Sequence, residues 1–178
     1  MAWTAPMTAI AGSVFTAAQF NQFVRDNLAE TAPAKATTPG GYFVTTATNQ
    51  IAERSGAIAT QLTNDSTTST SYTDLDTTTG PSLTVATSNC AVVIISASIS
   101  NTANVSARMA YEVSGASAIA PADNRGVATF GVAGVGIVAA NVLFHNDLTA
   151  GSNTFTAKYR VAGGTGSFTS RRITVLPL

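Results

Sequence analysis

The sequence predicts a mainly β protein: a C-terminal jelly-roll-like β-sandwich over 56–178, preceded by an extended arm, one short α-helix and a weak hairpin within 1–55. Three observations carry this. Only 10% of the 178 residues are charged, against ~25% in an average domain. Thr, Ala, Ser, Gly and Val fill the difference, and β-branched residues fit a pleated, half-buried surface. From residue 56 onward apolar residues recur at alternate positions in short runs, and turn signals separate them: Gly80-Pro81, Ser88-Asn89, Ser114-Gly115, Ala150-Gly151 and Gly163-Gly164-Thr165-Gly166.

Residues 1–12 read as an extended arm, because Pro6, Thr8 and Gly12 disfavour helix. A helix is predicted over 17–29. Thr16 and Gln19 are spaced as a capping box, with Phe15 and Phe20 placed as a hydrophobic staple in front of it. Phe20, Phe23, Val24 and Leu28 fall on one stripe at helical spacing, and Pro33 is expected to end the helix. Thr37 to Gly41 is a turn, and 42–46 with 50–54 form a hairpin around Thr48-Asn49. A helix of three to four turns is marginal in water, and so is a lone hairpin. Residues 1–55 are therefore read as an anchoring segment that a partner completes, with Trp3, Phe15, Phe20, Phe23, Val24 and Leu28 as its interface.

In the β-region the clearest strand is 153–161, where Phe155, Ala157, Tyr159 and Val161 share one face, and Thr154, Thr156, Lys158 and Arg160 the other. Met109, Tyr111 and Val113 alternate with Arg108, Ala110 and Glu112; Leu83 and Val85 alternate with Thr84; Val142 and Phe144 alternate with Leu143 and His145. Ile173 and Val175 open the last strand, Pro177 closes it, and Arg171-Arg172 stand at its start, one on each face. Two runs do not alternate. One is 91–99, which begins with Val92-Val93-Ile94-Ile95; the other is the glycine-rich 127–138. A sandwich strand has one face on the core and one on solvent. Apolar character on both faces predicts cover on both, and a neighbouring subunit is an economical source. An obligate homo-oligomer is expected.

Little chemistry is legible. Net charge is zero and no Lys/Arg run exists, so nucleic acid is not an expected partner. The opening residues lack the basic and apolar regions of a secretory signal. The longest apolar stretch, 135–144, is interrupted by Asn141 and too short for a bilayer, so no membrane insertion is expected. Cys90 is the single cysteine, expected as a small buried residue at a strand start. His145, the single histidine, shares a strand face with Asp147, but no Gly-x-Ser-x-Gly elbow accompanies the pair. Asp74 and Asp76 have i, i+2 spacing without the later Glu of a calcium loop. No pair of acids is singled out for cleaving a sugar bond. No catalytic, metal or cofactor residue is assigned, and the chain is read as a non-enzyme.

The run Trp3-Thr4-Ala5-Pro6, then Phe15-Thr16-Ala17-Ala18-Gln19-Phe20-Asn21 and Val24-Arg25-Asp26-Asn27-Leu28, resembles the start of small virion proteins of phages that infect actinobacteria, called minor tail proteins or fibres. Residues 31–36, the 42–54 stretch, the run 148–161 and the ending Arg171-Arg172-Ile173-Thr174-Val175-Leu176-Pro177-Leu178 continue the likeness, which is poor over 100–145. The resemblance implies a homotrimer on the virion, assembled in the host cytoplasm. Its N-terminal part would dock on tail, baseplate or capsid proteins, and its head would serve surface decoration or host attachment, with a host-envelope glycan as a further partner. The alternatives are a virion-associated glycan depolymerase and a carbohydrate-binding module.

Overall fold

The computed structural model describes residues 3–75, 77 and 79–178; Asp76 lies outside the described residues. The chain divides into two compact units, Met1–Ser55 and Gly56–Leu178.

In the first unit, Thr16 caps a helix that runs over 17–29. Its hydroxyl accepts from the Gln19 N–H at 3.3 Å, and the Gln19 side chain accepts from the Thr16 N–H at 2.9 Å. The middle of this helix, Asn21–Arg25, is wound as π-helix between α-helical ends Ala17–Phe20 and Asp26–Ala29. The helix stops at Glu30, ahead of Pro33. Pro33 instead sits in the first turn of a separate one-turn helix, Ala32–Lys35, where its missing N–H would have had no intrahelical partner anyway. Strands β1 (Tyr42–Ala47) and β2 (Gln50–Arg54) pair antiparallel around a turn with Asn49 at positive φ.

The second unit is a β-sandwich. Its strands are β3 (Ala57–Gln61), β4 (Asp65–Thr67), β5 (Ser82–Thr87), β6 (Ala91–Asn101), β7 (Ala107–Gly115), β8 (Gly126–Thr129), β9 (Ile137–His145), β10 (Gly151–Val161) and β11 (Gly166–Pro177). One sheet has the order β5-β10-β7-β8; the other has β3-β11-β6-β9, with β4 also on β11. Chain neighbours β5 and β6, β6 and β7, β8 and β9 lie in opposite sheets. Such repeated crossing between two antiparallel sheets is jelly-roll topology.

Strict alternation builds the core. Val93, Ile95, Ala97 and Ile99 of β6, Met109, Tyr111 and Val113 of β7, Phe155, Ala157, Tyr159 and Val161 of β10, and Ile173 and Val175 of β11 are all buried together. Val127 of β8 joins them, but the run 127–138 is not one strand. It breaks into β8, an exposed loop and the start of β9. β11 begins at Gly166, seven residues before Ile173, and bulges between Thr169 and Arg172, with Ser170 at φ 51°. The paired arginines stand at this bulge in mid-strand rather than at the strand start, Arg171 within it and Arg172 at its end. Arg171 is fully buried, while Arg172 is exposed on the opposite face. The Arg171 guanidinium donates to Thr63 O at 3.1 Å and to Gly80 O at 3.3 Å and lies over the Tyr159 ring. Cys90 is half-buried just before β6, less enclosed than its composition class suggests.

Asn153 is a second buried polar anchor. It accepts from the Ser117 N–H at 2.7 Å and donates to Thr87 Oγ1 at 2.7 Å and to Thr149 O at 2.9 Å. It thus ties the start of β10 to the end of β5 and to two loops. Asn153→Ala strands the Ser117 N–H without an acceptor, and a stranded buried group costs far more than an exchanged hydrogen bond. The expected loss is roughly 2–4 kcal/mol of unfolding free energy in a urea titration, with the slope unchanged. A loss under about 0.5 kcal/mol would refute this role for Asn153.

Candidate functional site

The first unit is held by polar clips. Asn27, its one buried residue among those described, accepts from the Thr4 N–H and donates to Thr4 O, both at 2.9 Å. This side-chain amide binds the arm as a neighbouring strand would. The Trp3 N–H donates to Asn49 O at 3.1 Å, fixing the arm to the hairpin turn. Lys35 joins Glu30 at 2.6 Å and donates to Ile51 O at 2.9 Å. The Glu53 carboxylate accepts from the Thr37 hydroxyl at 2.6 Å and from the N–H groups of Thr37 and Thr38 at 2.8 and 2.9 Å. Those bonds, the Thr37 hydroxyl foremost, hold its carboxyl below the usual range.

The six interface candidates are only partly brought together. Phe15 and Phe20 form the staple, edge to face with centroids 6.2 Å apart. Phe20 and Leu28 remain 48% and 61% exposed, whereas Phe23 and Val24 are half-buried. The single α-helical stripe read from the spacing is therefore corrected: the π-wound turn between Phe20 and Leu28 divides it, because a π turn holds more residues than an α turn. Trp3 is exposed on the arm. Sequence reading missed the polar clips, since Asn27 carries no periodic signal, and it missed Met7, Ile10 and Val14. Met7, Ala9, Ile10, Ser13 and Phe15 line an apolar hollow on this unit.

The sandwich has two unlike outer faces. Outside β5-β10-β7-β8, Thr84 meets Thr154 and Ser82 meets Thr156 through hydroxyl pairs at 2.7 and 2.8 Å. Lys158 bridges Asp74 and Glu112 at 3.0 and 3.2 Å. Asp123 receives Arg160 at 2.5 Å, Arg108 at 3.5 Å and the Tyr72 hydroxyl at 3.0 Å. Arg160 above all holds the Asp123 carboxyl low. Burial, then the Asp123 carboxylate, push the Tyr72 hydroxyl up to about 12, so it stays a neutral donor.

The outer face of β3-β11-β6-β9 is apolar instead. Register sets Leu176, Val92 and Phe144 in one row across β11, β6 and β9. The next row is Ile58, Thr174, Ile94 and Val142, and the next is Thr60, Arg172, Ser96 and Ala140. Arg172 is the one charged side chain in these rows. The alternation in β9 thus places the larger apolar pair, Val142 and Phe144, outward.

His145 faces the interior. Its Nε2 is 2.7 Å from the Tyr111 hydroxyl and its Nδ1 is 2.7 Å from Asp147. The spacing-based pairing with Asp147 is present, but the third member is a fully buried tyrosine rather than an accessible serine. Among the described residues no cluster of three His, Cys, Asp or Glu could hold a metal, and no helix is long and apolar enough to cross a membrane.

No protein-family model and no curated protein matches the chain. Among solved structures it is similar to Eiger TNF from S. frugiperda, with 12% identity and a TM-score of 0.43 over 69% of this chain and 92% of that one. The sandwich and its topology rest on the strand pairings, independently of that likeness.

Two outcomes test the clips. Asn27→Ala removes both bonds to Thr4, and limited proteolysis is expected to cut the arm roughly tenfold faster, while the β-sandwich unfolds at an unchanged midpoint. An arm cut at the same rate would exclude Asn27 as its clamp. Glu53 has a depressed folded pKa, so its contribution is complete above the unfolded carboxylate range near ~4.3 and is lost as pH falls through the lower folded value. The Thr37 and Thr38 amide resonances should titrate together in that acid window and lose the titration in Glu53→Gln; shifts that ignore acid would contradict the clip.

Proposed function

We propose that this chain is a structural protein of a bacteriophage particle, a minor tail protein, fibre or capsid-decorating fibre, that works as a homotrimer. Residues 1–55 dock it on other structural proteins of the virion. The sandwich of 56–178 is displayed for surface decoration or for attachment to a host-envelope glycan. Its mechanism is binding through apolar area and multivalency, in which three linked heads gain effective concentration without new contacts.

One observation carries this reading. Among the described residues of the first unit no apolar side chain is buried, while Trp3, Ile10, Val14, Phe15, Phe20, Leu28 and Phe43 are exposed. Burying one such side chain is worth roughly 1.5–3 kcal/mol. Placing several of them on a partner therefore yields on the order of 10 kcal/mol, comparable with the ~4–15 kcal/mol that association costs in lost freedom. Docking can proceed without electrostatic steering, which suits a chain of zero net charge. The N-terminal likeness to actinobacteriophage virion proteins supplies the kind of partner.

The test is incorporation. Particles assembled with Phe20→Asp/Leu28→Asp should carry at least tenfold less of the protein on a stained gel, although the purified variant keeps its β-sheet circular dichroism. Normal copy number in those particles would defeat the docking role. In wild-type particles, a handful of copies would indicate the tail or baseplate, and tens or more the capsid.

A further inference from the structure

We infer that the outer face of the β3-β11-β6-β9 sheet is where copies of this chain pack against one another. The inference rests on the homo-oligomeric part of the proposed function and assigns it a surface.

The sandwich segregates its polar groups. The opposite sheet carries the hydroxyl ladder and the Lys158 and Asp123 ion-pair networks on its outer surface. On this sheet Ile58, Val142, Phe144 and Val138 are 64%, 63%, 60% and 84% exposed. Val92, Ile94 and Leu176 lie half-exposed between them in register. A Val, Ile or Phe side chain carries roughly 60–120 Å² of removable apolar surface. Seven of them, four well exposed and three partly covered, supply roughly half or more of the ~800 Å² that each partner gives to a stable interface. That area falls at the scale of the largest apolar patch that a monomer exposes, about 300–600 Å², and patches of that size are often functional.

A second copy is the occupant that fits. In a closed trimer the same face of each copy turns toward the common axis, where like residues approach one another, so a face rich in one sign of charge would repel its own copies. Arg172 is the one charge within the registered rows, and it lies a row away from Ile94 and Val142. The interface core thereby lacks like charges, and depletion of charge at the core marks subunit interfaces. β6 lies between β11 and β9, so the half-exposed Val92 and Ile94 sit mid-sheet, away from the sheet's edges.

The test uses the full chain. Light scattering after gel filtration should give a multimer for wild type and a single-chain mass for Val142→Asp, whereas Thr154→Glu on the opposite face keeps the wild-type mass. In a Cys90→Ser background, Val142→Cys should yield chains linked to one another by a short bis-maleimide, and Thr154→Cys should not. That arm decides the matter if Val142→Asp fails to fold. A multimer that survives Val142→Asp, with no linking through Val142→Cys, would overturn the assignment. Should Phe20→Asp/Leu28→Asp then abolish the multimer, the oligomer stands and the helix holds it. A wild-type chain that is monomeric would sink the oligomer itself, and a variant with intact multimer but lost incorporation would give the face to another virion protein.

Discussion

Period-two alternation in four long strands is the constraint on which the molecule depends. Because successive side chains point to opposite faces, the core residues of β6, β7, β10 and β11 face inward only in one register. A slip of one position would turn Phe155, Tyr159 and Ile95 outward and bring Lys158, Arg160 and Ile94 inside. The charged alternative makes β10 and β7 intolerant of the slip. β6 has no such guard, since its even positions begin with Val92 and Ile94. Its register is set by pairing with β11 and β9 on both sides.

The two units solve the same thermodynamic problem differently. The sandwich buries apolar side chains against each other and then places a few polar groups inside on several partners each, as Asn153 and Arg171 show. The first unit has no such interior. It organises its backbone through Asn27, Glu53 and Lys35, side chains that borrow hydrogen-bonding roles usually filled by a neighbouring strand. Apart from those of buried Asn27, these bonds lie where water competes for donor and acceptor, so each adds little net stability. They shape a surface more than they stabilise one.

Much of the sandwich could be read directly, for a physical reason. β10 and β7 separate charged from apolar residues, so spacing alone reveals their inner faces. β9 is legible as an alternating strand but its inner face is not, because Val142, Leu143 and Phe144 are apolar on both sides and only pairing tells which is inside. The start of β11 is hidden in the sequence because the bulge at Ser170 breaks the alternation between Phe168 and Ile173. In the candidate docking surface the capping box and staple were legible, being local. Asn27 and the π-wound turn were not: a long-range amide clamp leaves no periodic trace, and a π turn arises from backbone geometry that residue types do not announce.

That π turn has a consequence for how the helix ages in sequence. It accommodates one residue beyond what an α-helix of the same rise would hold, and one residue corresponds to about 100° of rotation about the axis. The stapled front end, with Phe15 and Phe20, and the rear end, with Asn27 and Leu28, are thus set at a dihedral offset that a straightened helix would erase. A lineage that deleted a single codon within 21–25 would close the bulge into plain α-helix and keep Asn27 aimed at the arm, whereas rewinding the bulge as α-helix at unchanged length would swing Asn27 away.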